Sequence, residues 1–246
     1  YHAIADVILA HSLIRSFDEV DAQRTAVTGI SWGGYLTCHV ASLDDRFKAA
    51  VPVYGCGFLY EGESVQKPQI DGLPPERRQQ WIEMYDPSSN LRRCRTPILF
   101  VNGTNDVHYP LDSYARSYAL VRGPRTLRIE VNMPHGHPPG WAPKEIGLFV
   151  DQYLRDGKPL AKLSKPVVAE DRITVDYAAA VPLKSAALHF TTDGGLRSDR
   201  KWQSVPAEIE AGRIVAPKFP AGTTTWLITA TDERGAMVST VVGFVE

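Results

Sequence analysis

The chain has 246 residues, enough for one large domain or two of ordinary size. Its 43% hydrophobic and 22% charged residues are those of a globular protein rather than a disordered or fibrous one. A net charge of −1 supplies no bulk field for nucleic acid or an anionic membrane, and no run of eighteen apolar residues exists to span a bilayer.

Ile4, Val7, Ile8, Leu13, Ile14 and Phe17 recur at helical spacing and predict an opening amphipathic helix. A short loop, Asp18 to Asp21, follows. "RTAVTGI" then reads as a buried strand of parallel-sheet character, "GGYLTCHVASL" as a helix and "FKAAVPVYG" as the next strand. Strand, helix, strand in that order is the α/β signal. From Cys56 to Arg95 periodicity weakens, apart from a helix over "PPERRQQWIEMY" with Pro75 in its first turn. This excursion from the sheet is expected to lie over a pocket. "TPILFVNG" is a strand, "PLDSYARSYALV" a helix, "RTLRIEVNM" a strand, and "PKEIGLFVDQYLRDG" a helix closed by Gly157.

After "KPLAKLSKP" the grammar changes. "RITVDY", "SAALHFTT", "GRIVAP", "TTWLITAT" and "AMVSTVVGFV" are strands separated by the turn signals "DGG", "PAGT" and "DERG". The expected fold class is therefore α/β: a parallel sheet with flanking helices over residues 1–160, followed by a small all-β sandwich of immunoglobulin-like or fibronectin-like type over 166–246. Of the three cysteines, Cys38 reads as a small buried residue, and a Cys56–Cys94 disulfide is conceivable.

Chemistry concentrates at three points. Gly29-Ile30-Ser31-Trp32-Gly33 satisfies G-x-S-x-G with a strand before it and a helix after it, the context that pattern needs. The turn forces the serine into a strained conformation at the sheet edge. Gly29 and Gly33 are expected to leave room for the neighbouring strand and helix, and the Trp32 amide to donate to a developing oxyanion. A serine nucleophile needs a base and an orienting acid, in the order acid then histidine in this architecture. Asp106 follows one buried strand, and His135 follows the next, so both would emerge at the same edge as Ser31. His137, two residues on, is either a pocket residue or the base itself. Asp106 alone could equally be a turn former. His108 is expected near the surface or behind the site, and Asp112 in the first turn of its helix. Tyr54, His137 and Trp141 are possible pocket residues. Tyr60, Trp81, Tyr85 and Tyr109 divide between core and pocket in a way the sequence leaves open. Such chemistry needs no cofactor and no metal, and "HGH" has no metal-ligand spacing.

These motifs resemble the α/β-hydrolase superfamily, nearest its prolyl-oligopeptidase-like and acetyl xylan esterase-like branch. "GISWGGYLT" is similar to the nucleophile elbow of that branch, "FVNGTNDVHYP" to its acid loop and "PHGH" to its base loop. There the histidine preceding glycine is the base, which favours His135. The resemblance covers Tyr1 to about Gly157. It implies a serine hydrolase acting through an acyl-enzyme on a small-molecule or polysaccharide ester, with a peptidase as alternative. Because a β-sandwich follows the hydrolase part, a secreted or periplasmic carbohydrate esterase is the expectation. In the family several strands and an oxyanion loop precede the elbow, so this chain is expected to be the carboxyl part of a longer protein with an open sheet edge. Two other classes remain: a binding or scaffolding protein on an inactive hydrolase fold, and a sandwich that binds carbohydrate or a partner through Trp202 and Trp226.

Overall fold

A computed structural model describes residues 1–245. Helix α1 (His2–Ile14) precedes strand β1 (Ala26–Ile30), and α2 (Trp32–Leu43) precedes β2 (Ala49–Val53). The excursion holds α3 (Lys67–Asp71), α4 (Pro75–Tyr85) and two single 3₁₀ turns at Pro87–Ser89 and Leu91–Arg93. Next come β3 (Ile98–Gly103), α5 (Leu111–Leu120), β4 (Arg125–Glu130), the short α6 (His137–Trp141) and α7 (Glu145–Leu154). The four strands pair in parallel in the order β1-β2-β3-β4. Every residue of β2 and β3 is buried, as expected for strands covered on both faces.

After α7 the elements change from helices and parallel strands to antiparallel strands. Strands β5 (Lys162–Leu163), β6 (Val167–Val168), β7 (Arg172–Ala178), β8 (Leu183–Thr191), β9 (Gln203–Glu210), β10 (Arg213–Pro217), β11 (Thr225–Asp232), β12 (Met237–Ser239) and β13 (Gly243–Phe244) pair antiparallel. Hydrogen bonding and packing nevertheless run across that boundary. Ser239 of β12 bridges Leu127 of β4, which joins β12 and β11 to the parallel sheet. One contiguous apolar core runs from Val53 and Phe100 through Leu127 to Leu188 and Ile228. Glu145, buried at the start of α7, accepts from Arg128 of β4 and from the Met237 amide of β12. The Tyr118 hydroxyl of α5 accepts the Val242 amide at 2.9 Å.

Several expectations change. Helix α1 forms but ends at Ile14, and only His11 of it is buried, while Leu9, Leu13, Ile14 and Phe17 are exposed. Its hold on the fold is polar: His11 Nδ1 meets Asp44 at 2.7 Å and Nε2 meets Thr25 at 2.8 Å. Strand β9 has no counterpart among the predicted strands: Val205, Ala207 and Ile209 do alternate with Pro206, Glu208 and Glu210, but the proline and the two carboxylates count against a strand by residue type. "AMVSTVVGFV" is two short strands, β12 and β13. Helix α7 is closed by Asp156 in the left-handed region (φ 53°), which lets the Gly157 amide reach back to the Asp151 carbonyl. All three cysteines are free and buried, so Cys56 and Cys94 form no disulfide. Trp226 is buried against Phe219, and Trp202 packs on the core, so neither offers an exposed platform.

Asp86 closes the excursion. It is fully buried and accepts the Phe58, Leu59 and Ser88 amides, joining both ends of the segment. Beside it His39 is also fully buried. Its Nε2 donates to the Tyr85 carbonyl at 2.7 Å, and its Nδ1 accepts from Asn90. Burial holds the His39 imidazole below its ordinary pKa, so the folded protein keeps it neutral. The unfolded chain takes up this proton below pH ~6.5, so His39's contribution to stability is complete above that pH and declines as pH falls. Tm measured across pH 8 to 5 is expected to fall on the acid side, and His39→Gln to flatten that slope.

Candidate active site

Four loops reach one edge of the parallel sheet, at the carboxyl ends of β1 to β4, where open α/β sheets bind ligands. The first is the turn from β1 into α2. Ser31 sits there at φ 56°, ψ −113°, a strained conformation for a residue with a side chain. Its amide bonds to the Val53 carbonyl and its carbonyl accepts from Tyr35, so both flanking elements hold the strain in place. As the first residue of α2, Trp32 has an amide with no acceptor inside the helix. Its indole is 59% exposed and stacks on Tyr35 at 4.7 Å.

The third and fourth loops bring Asp106 and His135. His135 Nε2 lies 3.0 Å from Ser31 Oγ, and His135 Nδ1 lies 2.7 Å from Asp106 Oδ2. Asp106 is buried, and its other oxygen accepts the His108 and Tyr109 amides at 2.8 and 2.9 Å. With one carboxylate oxygen occupied, the second is left to accept Nδ1–H. That fixes the tautomer in which Nε2 accepts the serine proton.

The family model for the prolyl oligopeptidase family (Peptidase_S9) matches residues 2–146, more than half of the sequence. The chain belongs to the prolyl oligopeptidase family. Its fold is similar to an acetyl xylan esterase from Paenibacillus sp. R4, at 24% identity and TM-score 0.53, over 62% of this chain and 52% of that one. It is similar to the Pyrococcus horikoshii acylaminoacyl peptidase at 22% identity and TM-score 0.54, over 62% and 28%. A puromycin hydrolase variant aligns at 18% identity and TM-score 0.52, over 61% and 24%. The chain thus spans about half or less of the length of these structures.

Within this member of the family, the expected site residues separate. Ser31, His135 and Asp106 come together. His137 starts α6, is exposed, and is not the histidine that meets Ser31. Trp141 ends α6 and is half exposed. Tyr54 is not a pocket wall. It is fully buried at φ 63°, its ring stacks under His135 at 4.4 Å, and its hydroxyl donates to the Pro134 carbonyl. Burial pushes its phenol up to about 12, so it remains a donor. His108 flanks the site, its ring 4.7 Å from His135 and its Nδ1 accepting from Gln66.

Tyr109 was legible only as one aromatic among several. It is buried, and its ring lies parallel to that of His135. Its position, three residues after Asp106, was the only available signal. Trp32, Tyr35, Tyr109, Leu59, Ile70 and Trp81 wall a cleft of about 340 Å³ at the start of α2. Leu59, Ile70 and Trp81 belong to the excursion, as expected for a segment lying over a pocket. Among the described residues no cluster of His, Cys, Asp and Glu has the placement of a metal site.

Of the two glycines expected to be required at the elbow, Gly29 is and Gly33 is not; Gly34 is the second. A Cβ on Gly29 would lie 2.5 Å from the Gly33 carbonyl carbon, and one on Gly34 would lie 2.3 Å from the Val53 carbonyl oxygen. A Cβ on Gly33 would meet nothing within 4 Å. Gly34→Ala is therefore expected to cost ~3 kcal/mol or more, because backbone must move, and Gly33→Ala to stay within ~0.5 kcal/mol. Urea unfolding of the two variants checks this directly.

Proposed function

We propose that the protein is a serine hydrolase working by acyl transfer, with Ser31 as nucleophile, His135 as base and Asp106 as orienting carboxylate. The observation that carries this reading is the unbroken chain of 3.0 and 2.7 Å contacts from Ser31 through His135 to Asp106. Ser31 Oγ attacks a carbonyl carbon while His135 Nε2 takes its proton. Negative charge then develops on the carbonyl oxygen beside the free Trp32 amide, where a fixed donor stabilises it without reorganisation. Collapse of this intermediate expels the alcohol or amine, which takes the proton from Nε2. The acyl-enzyme is released by water through the same steps in reverse.

Among acyl substrates we favour a carboxylic ester of carbohydrate type, such as an acetylated xylan unit. A compact cleft with the aromatic walls Trp32, Tyr35 and Trp81 suits a sugar ring and a small acyl group. We assign residues 1–160 to the catalytic unit. The antiparallel region 166–246 is then an immunoglobulin-like region packed against that unit, in a secreted or periplasmic enzyme. The second reading is a peptidase, favoured by membership of the prolyl oligopeptidase family itself.

With p-nitrophenyl acetate, Ser31→Ala and His135→Ala are each expected to lower kcat by ~10³-fold or more while remaining folded. A fluorophosphonate is expected to label the parent at Ser31 and not the Ser31→Ala variant. An unlabelled, inert parent would overturn the hydrolase reading in favour of a binding protein. Acetylated xylo-oligosaccharides are expected to give a higher kcat/KM than N-acyl or prolyl peptide amides, and the reverse order would establish the peptidase.

A further inference from the structure

The loop between β8 and β9 touches the acid loop of the site. Asn105, immediately before Asp106, donates through its side-chain amide to the carbonyls of Ser198 and Arg200, both at 2.8 Å. Its amide oxygen accepts from the Thr104 hydroxyl at 2.6 Å. That same hydroxyl accepts the Asn132 amide at 3.0 Å, three residues before His135. Asn132 itself stands at φ 57°, so the base loop turns at the point where it is held. One continuous chain of hydrogen bonds therefore links residues 198–200 to both the acid loop and the base loop.

The far end of this chain is anchored. Arg200 is buried, and its guanidinium donates to the Gly195 carbonyl and to the Thr225 hydroxyl of β11. Arg197 pairs with Glu63 of the excursion through both its backbone amide and its guanidinium, and faces Asp112 of α5 at 3.6 Å. The loop is thus tied to the β-strand region behind it and to the pocket side in front. Buried polar groups in such a chain hold one geometry because leaving any member unpaired carries its desolvation penalty.

We propose that Asn105 is a positioning residue for the Asp106–His135 pair, and that the β8–β9 loop of the C-terminal region is thereby part of the catalytic assembly rather than of an independent accessory module. This rests on the acyl-transfer reading of Ser31, His135 and Asp106. Asn105 does not touch the reacting atoms. It fixes the backbone from which Asp106 projects, and through Thr104 it fixes the spacing between that backbone and the turn leading to His135. Small displacements of such groups cost rate rather than binding.

The test is active-site titration with a fluorophosphonate, combined with steady-state hydrolysis of p-nitrophenyl acetate, on the full chain and two variants. Asn105→Ala removes the amide, and Thr104→Val removes the hydroxyl that joins the two loops while conserving shape. Both are expected to titrate to the parent's full number of sites. Their labelling rate per site and kcat are expected to be about tenfold lower or more, with KM within about twofold. A purely structural role would instead reduce the number of sites that titrate and leave the rate per site unchanged. Either folded variant labelling at the parent's rate per site overturns the proposal, and Thr104→Val carries the test if Asn105→Ala does not fold. A parent that fails to label, or that labels away from Ser31, brings down the underlying reading as well. Labelling of the parent at Ser31 with unaltered variants removes the positioning role alone.

Discussion

Two backbones meet at the end of β1 with no room for a side chain between them. Gly34 at the start of α2 lies against the Val53 carbonyl and Gly55, and a Cβ on Gly55 would come within 2.0 Å of the Gly34 carbonyl carbon. Gly29 closes the same contact from the strand side. This approach forces the turn between β1 and α2 to be as tight as it is, and places Ser31 at positive φ. The site depends on that constraint. The serine oxygen is held by backbone sterics on a covered sheet, so the histidine has a fixed point to reach. A substitution that widened this contact by one methyl group would move the oxygen before it touched any other polar group.

The His135 imidazole is held in a different way. Tyr54, at the end of β2, carries the His135 ring on its face and ties the loop through the Pro134 carbonyl. Helix α6 closes over it at Gly140, where a Cβ would press on Ile30 and on the Tyr54 ring. Asp106 spends one oxygen on two backbone amides and the other on His135. Each side chain is therefore fixed by a neighbour that does no chemistry.

A second constellation in the molecule shows what such geometry is worth without access. His11, Asp44 and Thr25 form a hydroxyl–imidazole–carboxylate chain at 2.8 and 2.7 Å, as close as the one at Ser31. All three are buried, and the imidazole stacks on Phe47 at 3.7 Å. Burial opposes ionisation of Asp44, yet the bonds from Arg46 and His11 hold its carboxyl well below the usual carboxylate range. Sealed and charge-paired, this chain fastens α1 to the sheet. The same three group types become a candidate site only where a strained turn lifts the hydroxyl to an open edge.

The α/β order, the elbow and the sequence of serine, acid and histidine were all legible along the chain. Each is local: an apolar run, a glycine-flanked turn, or a polar residue just past a strand. What the sequence by itself determined was therefore which residues stand at the sheet edge. Which of Gly29, Gly33 and Gly34 meets a neighbour was decided by the packing of α2 on β2, a contact between segments about twenty residues apart. Tyr54 belongs beneath His135 rather than in the pocket because β2 turns at positive φ, a feature with no glycine or asparagine to announce it. Strand β9 was hidden because its pairing with β8 and β10 holds it in place despite Pro206, Glu208 and Glu210, residue types that disfavour a strand, although its residues do alternate. The tie from Asn105 to residues 198–200 joins positions more than ninety apart through two backbone carbonyls. Carbonyls leave no mark in a sequence, so only the tertiary structure decided that the C-terminal region reaches the site.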